Sequence, residues 1–474
     1  MEAVLNVLAD RYASREMVAI WSAEGKVRME RSLWIAVMRA QRDLGLEIPS
    51  EAIEAYEKVR DRVDLEDIKA RERVSRHDVK ARIESFCAAA GYEYVHMGMT
   101  SRDLTENVEQ LQVKHALETT RDKMVAVLSK LAVRATESRD TPLAARTHNV
   151  VAQVTTVGKR WAMFGEESLF GFEQLDALLK SYPLRGLKGA VGTQKDTLQL
   201  FDGDAQRAAD LESAVRQHLG FESVWDNVGQ VYPRSLDATV INTLVELASG
   251  MANFSKTLRL MAGQELASEG FAPGQTGSSA MPHKMNSRST ERINGFHTIL
   301  KGYQTMANGL AGDQWNEGDV SCSVVRRVCL PDAFFAMDGL IETMLTVLNQ
   351  MEVNRPVIDC EVAHYLPFLA STALLMAAVQ SGMGREAAHA RVKHHAVEAL
   401  RKMRSGESSE NGMIAGLGAD DSFPLNLDEM NKILEHARAE SGVAASQVDA
   451  FVEQVSRVAQ RYPEAVKIEP GDIL

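Results

Sequence analysis

Four cysteines in 474 residues, Cys87, Cys322, Cys329 and Cys360, form no CxxC pair and are too few for a disulfide scaffold, which predicts reduced and mostly buried thiols. Proline is also scarce, at 12, and aromatic residues make up only 6% of the chain. Basic excess is missing: 53 Lys and Arg stand against 65 Asp and Glu, a net charge of -12. Neither nucleic acid nor an anionic membrane surface would attract such a chain nonspecifically, and an anionic ligand would need a local cationic pocket. The longest nearly apolar run, Phe368 to Val379, carries Ser371 and Thr372 and falls short of the roughly 20 residues a spanning helix needs. Asp10, Arg11, Arg15 and Glu16 interrupt the N-terminal region where a secretory signal would place an apolar stretch. The expectation is a cytoplasmic protein that contacts neither membrane nor nucleic acid.

What the chain does have is helical periodicity. Met29, Leu33, Ala36, Val37, Ala40 and Leu44 form one stripe, and Val108, Leu111, Met124, Leu128 and Leu131 mark a much longer one. A third runs from Val240 to Met261 and is apolar on more than one face, which suits a helix buried inside a bundle or between subunits. Period-two strands are rare; Thr193 to Phe201 is expected to make a short hairpin at most. Breaks fall at Ser181 to Gly192, at Gly270 to Ser279 and near Asn354 and Pro356, with helix resuming from Ser371 to Leu400. The fold class is therefore all-α. The expected domains are 1–105, 106–356 with its long helices, and 357–474.

Several segments hold chemistry-bearing residues, each with a plainer reading beside it. Arg76-His77-Asp78 sets a cation, an imidazole and a carboxylate side by side, or simply starts a surface helix. Thr100 and Ser101 stand at a helix entry that suits an anion, although Ser101 or Asp103 as an ordinary cap explains the same residues. Thr147-His148-Asn149 precedes an apolar run read as helical, so His148 is either a buried acid or base or a core imidazole satisfied by one carbonyl. Residues 270–292, GFAPGQTGSSAMPHKMNSRSTER, combine turn-forming glycines with Lys284 and Arg288, which suits a mobile lid over an anion, or a solvated linker. The segment is neither a P-loop nor a GxSxG elbow. His389, His394 and His395 lack the spacing of paired helical ligands, and no metal is expected.

Three of these segments, GMTSRDLTEN at 98–107, RTHNVVAQVTTVGKR at 146–160 and GQTGSSAMPHKMN at 274–286, resemble the signature regions of the fumarase and aspartase superfamily. With Arg11-Tyr12-Ala13-Ser14 and Arg76-His77-Asp78-Val79 added, the chain resembles the adenylosuccinate lyase family within it. The resemblance spans nearly the whole chain. It implies a three-domain helical fold whose central helices form the core of a homotetramer, with each active site assembled from three subunits. It also implies elimination of fumarate from adenylosuccinate, giving AMP, and from SAICAR, giving AICAR, with no cofactor.

By the same resemblance Ser278 is the base, His148 the acid, and Glu291 the residue that orients His148 across a subunit interface. Lys284 and Asn286 would meet the charge of the intermediate, and Thr100 and Ser101 a succinyl carboxylate. His77 and Arg76 would contact the nucleotide phosphate, His77 as support rather than as the main acid. Arg11, Tyr12, Asp78, Thr147, Gln230, Arg292, Ser323 and Arg327 would surround the substrate. After Gln314-Trp315-Asn316-Glu317 the chain has Gly318 where several relatives carry a ligand-binding arginine, a role that Arg326 or Arg327 is expected to take over. Sister lyases for argininosuccinate, malate or aspartate share the loop but not the RYAS and RHDV segments. A structural oligomer would be free to lose Ser278, His148 and Lys284. A nucleotide-sensing protein would bind AMP without turnover.

Overall fold

A computed structural model describes residues 5–271, 274, 280–281 and 283–471. The chain starts with short helices α1 (Val7–Arg11), α2 (Arg15–Trp21), α3 (Ala23–Asp43), α4 (Ser50–Val59), α5 (Leu65–Ser75) and α6 (Asp78–Ala90). Polar residues fix most of these starts: Asn6, Ser14, Ser22, Asp64 and His77 each accept a hydrogen bond from a backbone N–H of the following first turn.

Five long helices then form the core: α7 (Ser101–Glu137), α8 (Val157–Ser181), α11 (Ser235–Ala262), α12 (Arg288–Asn308) and α13 (Cys322–Gln350). Between them lie the strands β1 (Pro142–Thr147) and β2 (Val150–Thr156), α9 (Lys195–Leu200), α10 (Ala205–His218) and the two-residue strand β3 (Ala267–Ser268). Successive long helices alternate in direction. Asn107 Nδ2 donates to the Gly186 carbonyl at 2.9 Å, tying the start of α7 to the loop after α8. At the opposite end Arg134 donates to the Leu348 and Asn349 carbonyls at 2.6 and 2.8 Å, tying the end of α7 to the end of α13. There too β3 pairs with β4 (Glu352–Val353), and Glu269 accepts the first N–H groups of α12 from Ser289 and Thr290. α8 and α11 cross closely because the glycines leave room: a Cβ on Gly171 would lie 2.7 Å from Leu247 Cα.

Val240, Ile241, Leu244, Leu247, Ala248, Met251, Phe254 and Leu258 are all buried within the single chain. The all-round apolar character of α11 is thus accounted for by α8, α12 and α13, which pack around it, without a second subunit.

Beyond β4 come α14 (Arg355–Leu369), α15 (Ser371–Gln380), α16 (Arg385–Ser405), α17 (Met413–Gly418), α18 (Leu427–Ala439) and α19 (Ala444–Arg461). Leu374, Val392, Met413, Leu417 and Met430 form a separate small core, while Phe451 and Val455 of α19 return to the main one. Residues Arg355–Gln380 are long and apolar enough, at a mean hydropathy of 1.6, to cross a membrane by length and composition, which the sequence reading did not anticipate. In the fold the run is divided at Ala370, carries Pro367 inside α14, and packs on the β1–β2 hairpin and α18.

Two local expectations are corrected. The Thr193–Phe201 stretch holds α9 rather than a hairpin. Val150 to Thr156 is strand rather than helix: its Val and Thr residues favour the extended backbone, and α8 begins only where Thr156 caps it. Of the four thiols, Cys322 and Cys329 are buried, Cys87 is half-buried and Cys360 is exposed.

Candidate active site

His148 sits at the tip of the β1–β2 hairpin. Thr147 pairs with Val150, which leaves His148 and Asn149 as a two-residue loop with φ of 52° and 61°. Positive φ at both positions is the pattern of a type I′ turn, whose twist matches that of the strands it joins. Asn tolerates this conformation well. Thr147, His148 and Asn149 are exposed, so His148 is neither the buried acid or base nor the satisfied core imidazole that an apolar helical setting suggested.

Tyr12 closes α1 and meets Phe296 of α12 edge-on, with ring centroids 5.2 Å apart. The guanidinium of Arg292, one turn earlier on α12, lies 5.5 Å from the Tyr12 ring and that of Arg11 lies 5.9 Å from it. Arg11, Tyr12 and Arg292 are therefore brought together within one chain. Behind them, Asp338 accepts from the Ser14 N–H at 2.6 Å and, with Glu342, holds the buried Lys123 ammonium at 2.5 and 2.6 Å. This anchors the segment 11–14 to the bundle.

His77 caps α6, its Nδ1 accepting from the Lys80 N–H at 3.2 Å, and Arg76 just before it has a φ of 50°. Both side chains are exposed. Burial acts to raise the Asp78 carboxyl, but Arg82 at 3.0 Å and the Val79 N–H outweigh it and hold the group below the usual range.

At the head of α7 the helix cap is Thr100 rather than Ser101 or Asp103. Asp103 Oδ2 accepts from the Thr100 N–H at 2.8 Å, while its Oδ1 accepts from Arg185 at 2.6 Å and from the Lys188 and Gly189 N–H groups. Thr100 and Ser101 stay partly exposed above this buried carboxylate. Next to them His96 has a φ of 72°, and its Nδ1 accepts from the Trp34 indole N–H at 3.1 Å. Burial pushes that imidazole down to about 4.

Gln230 donates its N–H to the Glu317 carbonyl at 2.6 Å, which sets Gly318 against Val231. Gly318 has a φ of 128°, and a Cβ there would lie 2.7 Å from Val231 Cγ2. An arginine does not fit this backbone. Arg326 cannot replace it, because it is buried and already bonded to Asp237 at 2.7 Å, Glu109 at 2.6 Å and the Tyr232 hydroxyl at 2.5 Å. Arg327 is exposed and Ser323 half-exposed on the first turns of α13.

Ser278 lies outside the described residues, as do Gly277 and Ser279. Lys284 is exposed, Asn286 is half-buried, and Glu291 in the first turn of α12 is exposed with Arg259 3.5 Å away.

These groups fall at two ends of the bundle. Thr100 caps α7 and Ser101 begins it, whereas Thr147 and His148 follow its end, so a helix of 37 residues separates them. At 1.5 Å per residue that is about 55 Å, far more than one small substrate can span. A cavity of about 730 Å³ lies elsewhere again, between α16 and the 408–422 segment. There His395 is held by Asp420 at 2.9 Å, and none of the signature segments reaches it.

A family model described as lyase matches residues 10–300, and one described as adenylosuccinate lyase C-terminus matches residues 367–451. Adenylosuccinate lyase of Saccharomyces cerevisiae is 33% identical over 459 residues, covering 94% of this chain and 93% of its own. That of Schizosaccharomyces pombe is 31% identical and covers 98% of both. The chain belongs to the adenylosuccinate lyase family. As a lyase of this family it shares its all-α fold with the 3-carboxy-cis,cis-muconate lactonizing enzyme of Pseudomonas putida, at a TM-score of 0.80 and 20% identity over 95% of this chain and 99% of that one.

Sequence reasoning missed the polar framework that carries the site at the head of α7. Glu106 is fully buried and meets Arg102 at 3.0 Å and Arg234 at 2.9 Å, while Asp237 meets Arg326 and Tyr232. Polar residues scattered along helical stretches gave no signal that they would be buried. The partners that close the framework, Arg234 for Glu106 and Arg326 for Asp237, lie 128 and 89 positions away in sequence.

Proposed function

We propose that the chain eliminates fumarate from adenylosuccinate, leaving AMP, and carries out the same elimination on SAICAR to give AICAR. The observation that carries this reading is the end-to-end match to adenylosuccinate lyases in a chain that presents His148 on an exposed two-residue turn. Ser278 takes a proton from the succinyl carbon beside a carboxylate, and the electrons pass into that carboxylate as an aci-carboxylate. Lys284 and Asn286 are suited to meet the added charge. The electrons then return to form the carbon–carbon double bond as the C–N bond breaks, and His148 donates its proton to the departing nitrogen. Glu291 would hold His148 in its donating orientation.

Arg11, Tyr12 and Arg292 form a cationic, aromatic corner suited to the succinyl or nucleotide group, and in this reading Arg76, His77, Asp78, Gln230, Ser323 and Arg327 also contact the substrate. With Arg326 committed to Asp237, Arg327 is the remaining choice for the contact that Gly318 lacks. A net charge of -12 makes these local cations the means of attracting an anionic substrate.

The active unit in this reading is a homotetramer with sites shared by three subunits, and it needs no cofactor. The 37-residue separation within one chain supports it, as do exposed apolar residues on the bundle: Met163 and Phe170 on α8, Leu260 on α11 and Ile299 on α12. The division at 1–105, 106–356 and 357–474 follows the same reading, with the separate Leu374–Met430 core in its favour. Four unpaired cysteines suit the reducing cytoplasm.

The test is fumarate release from adenylosuccinate, with argininosuccinate and malate as controls and Ser278→Ala as the blank. Release from adenylosuccinate alone, lost in the variant, is the expected result; release from a control instead would assign a sister activity.

A further inference from the structure

The hairpin that presents His148 has little to hold its tip: Thr147, His148, Asn149 and Val150 are all exposed. Val151 packs against the core, and Arg146, two positions before His148, carries the side-chain hydrogen bond from the tip region to another element. Arg146 Nη2 donates to Glu361 Oε1 on α14, and its Nη1 donates to the carbonyl of Asn149, the other turn residue, at 3.4 Å. The guanidinium lies 6.0 Å from the centre of the Tyr365 ring, one turn further along α14. Arg146 and Glu361 are largely shielded, at 19% and 11% side-chain exposure. Arg146 Nε and Glu361 Oε2 are buried and lack hydrogen-bond partners, so the single Arg146–Glu361 link carries the pairing of both charges. The strand register slips between Ala144 and Arg146, which turns the tip toward α14. Arg160 of α8 donates to the Ala144 carbonyl at 3.5 Å and adds a second cation beside Glu361.

We propose that Glu361 is a positioning residue for His148. By holding Arg146 from α14 it fixes the direction of the two-residue turn, and so the aim of the imidazole at the departing nitrogen. This rests on His148 being the acid, as read above. The pair joins the C-terminal region to the reacting group through one side chain on each element, and neither residue need touch substrate. An imidazole displaced by about 1 Å loses up to about 100-fold in rate while substrate affinity, set elsewhere, is kept.

The test uses the full-length enzyme and four variants: Glu361→Gln, Glu361→Asp, His148→Gln and the double variant Glu361→Gln/His148→Gln. Glu361→Gln is expected to lower kcat roughly 10- to 100-fold with KM within about threefold, and Glu361→Asp to recover part of the loss. In the His148→Gln background the same substitution should cost nothing further, because the group it positions is gone. An equal loss in both backgrounds means a merely structural role and overturns the proposal, as does an unchanged kcat in Glu361→Gln. Arg146→Lys, which keeps the charge but loses the fork, covers the case in which Glu361→Gln fails to fold; it should show the same split between kcat and KM, and normal kcat there overturns the proposal. Full activity in His148→Gln is a separate result, visible in that variant alone: it removes His148 as the acid and this proposal with it.

Discussion

At the head of α7, Asp103, Glu106 and Asp237 are buried and each is met by an arginine, so that Thr100, Ser101, Gln230 and Arg327 stand on a framework completed within the chain. At the foot of the same helix, His148, Lys284 and Glu291 are exposed, and Arg259 lies 3.5 Å from Glu291. The first end is organised by folding, with charges removed from water and paired with opposite charges. On the proposed reading the second end presents reacting groups whose sites another copy of the chain completes. Stability and activity should therefore separate along the bundle.

The largest effect is expected at the foot. His148→Gln should lower kcat by about 10² to 10⁴ while leaving thermal unfolding nearly unchanged, because an exposed turn residue carries little packing. Mixing this variant with Ser278→Ala under conditions that exchange subunits should restore part of the activity, since some sites then draw both intact groups from different chains. Mixtures as inactive as their parents would mean that each site is built from one chain, against the 37-residue separation.

At the head the expected loss is in stability. Arg326→Ala strands Asp237 and Glu109 without their shared cation and should cost about 3 to 5 kcal/mol in urea unfolding. Any surviving folded enzyme should keep an acid and base that work, so kcat should fall much less than the folded fraction. A variant of normal stability would contradict the geometry of this network. Gly318→Arg, which supplies the arginine that the resemblance implies, is expected to harm rather than help. A φ of 128° and the Val231 contact oppose it, at a cost of about 3 kcal/mol, and a lower KM at unchanged stability would show that the loop adapts.

How much of this was open to reading from sequence follows the same division. The stripes of α3, α7 and α11 were legible because burial of one face imposes a helical period. The hairpin was not: Val150 to Thr156 has no clean alternation, and its turn is His-Asn, without the glycine that usually marks such a loop. Candidate site residues could be named one by one from their motifs, whereas their grouping in space could not. Tyr12 meets Arg292 across 280 positions, and Arg326 is occupied by Asp237 and Glu109 at separations of 89 and 217. Charge balance set by distant helices leaves no local trace.

The smallest expected effect tests the framework at the head through pH. Glu30, buried on α3 with Arg82 2.8 Å away, is raised by its burial to about 7, which Arg82 only partly opposes. From an unfolded value of 4.5 to the folded value near 7 the unfolded chain has released this proton and the folded chain has not, so Glu30 lowers stability progressively as pH rises through that window. His96 acts in the opposite sense: the unfolded chain takes a proton below 6.5 and the folded one only near 4, so stability falls as pH drops through that window. Between pH 4.5 and 6.5 the two contributions run against each other, each with a slope of at most about 1.4 kcal/mol per pH unit. Relative to the parent, Glu30→Gln should tilt the stability curve upward with pH in that interval, and His96→Gln should tilt it downward. Urea unfolding at half-unit steps reads both slopes from one protein series. Parallel curves for all three chains would mean that neither group is desolvated as its surroundings indicate, and that the head of α7 is wetter than its buried carboxylates require.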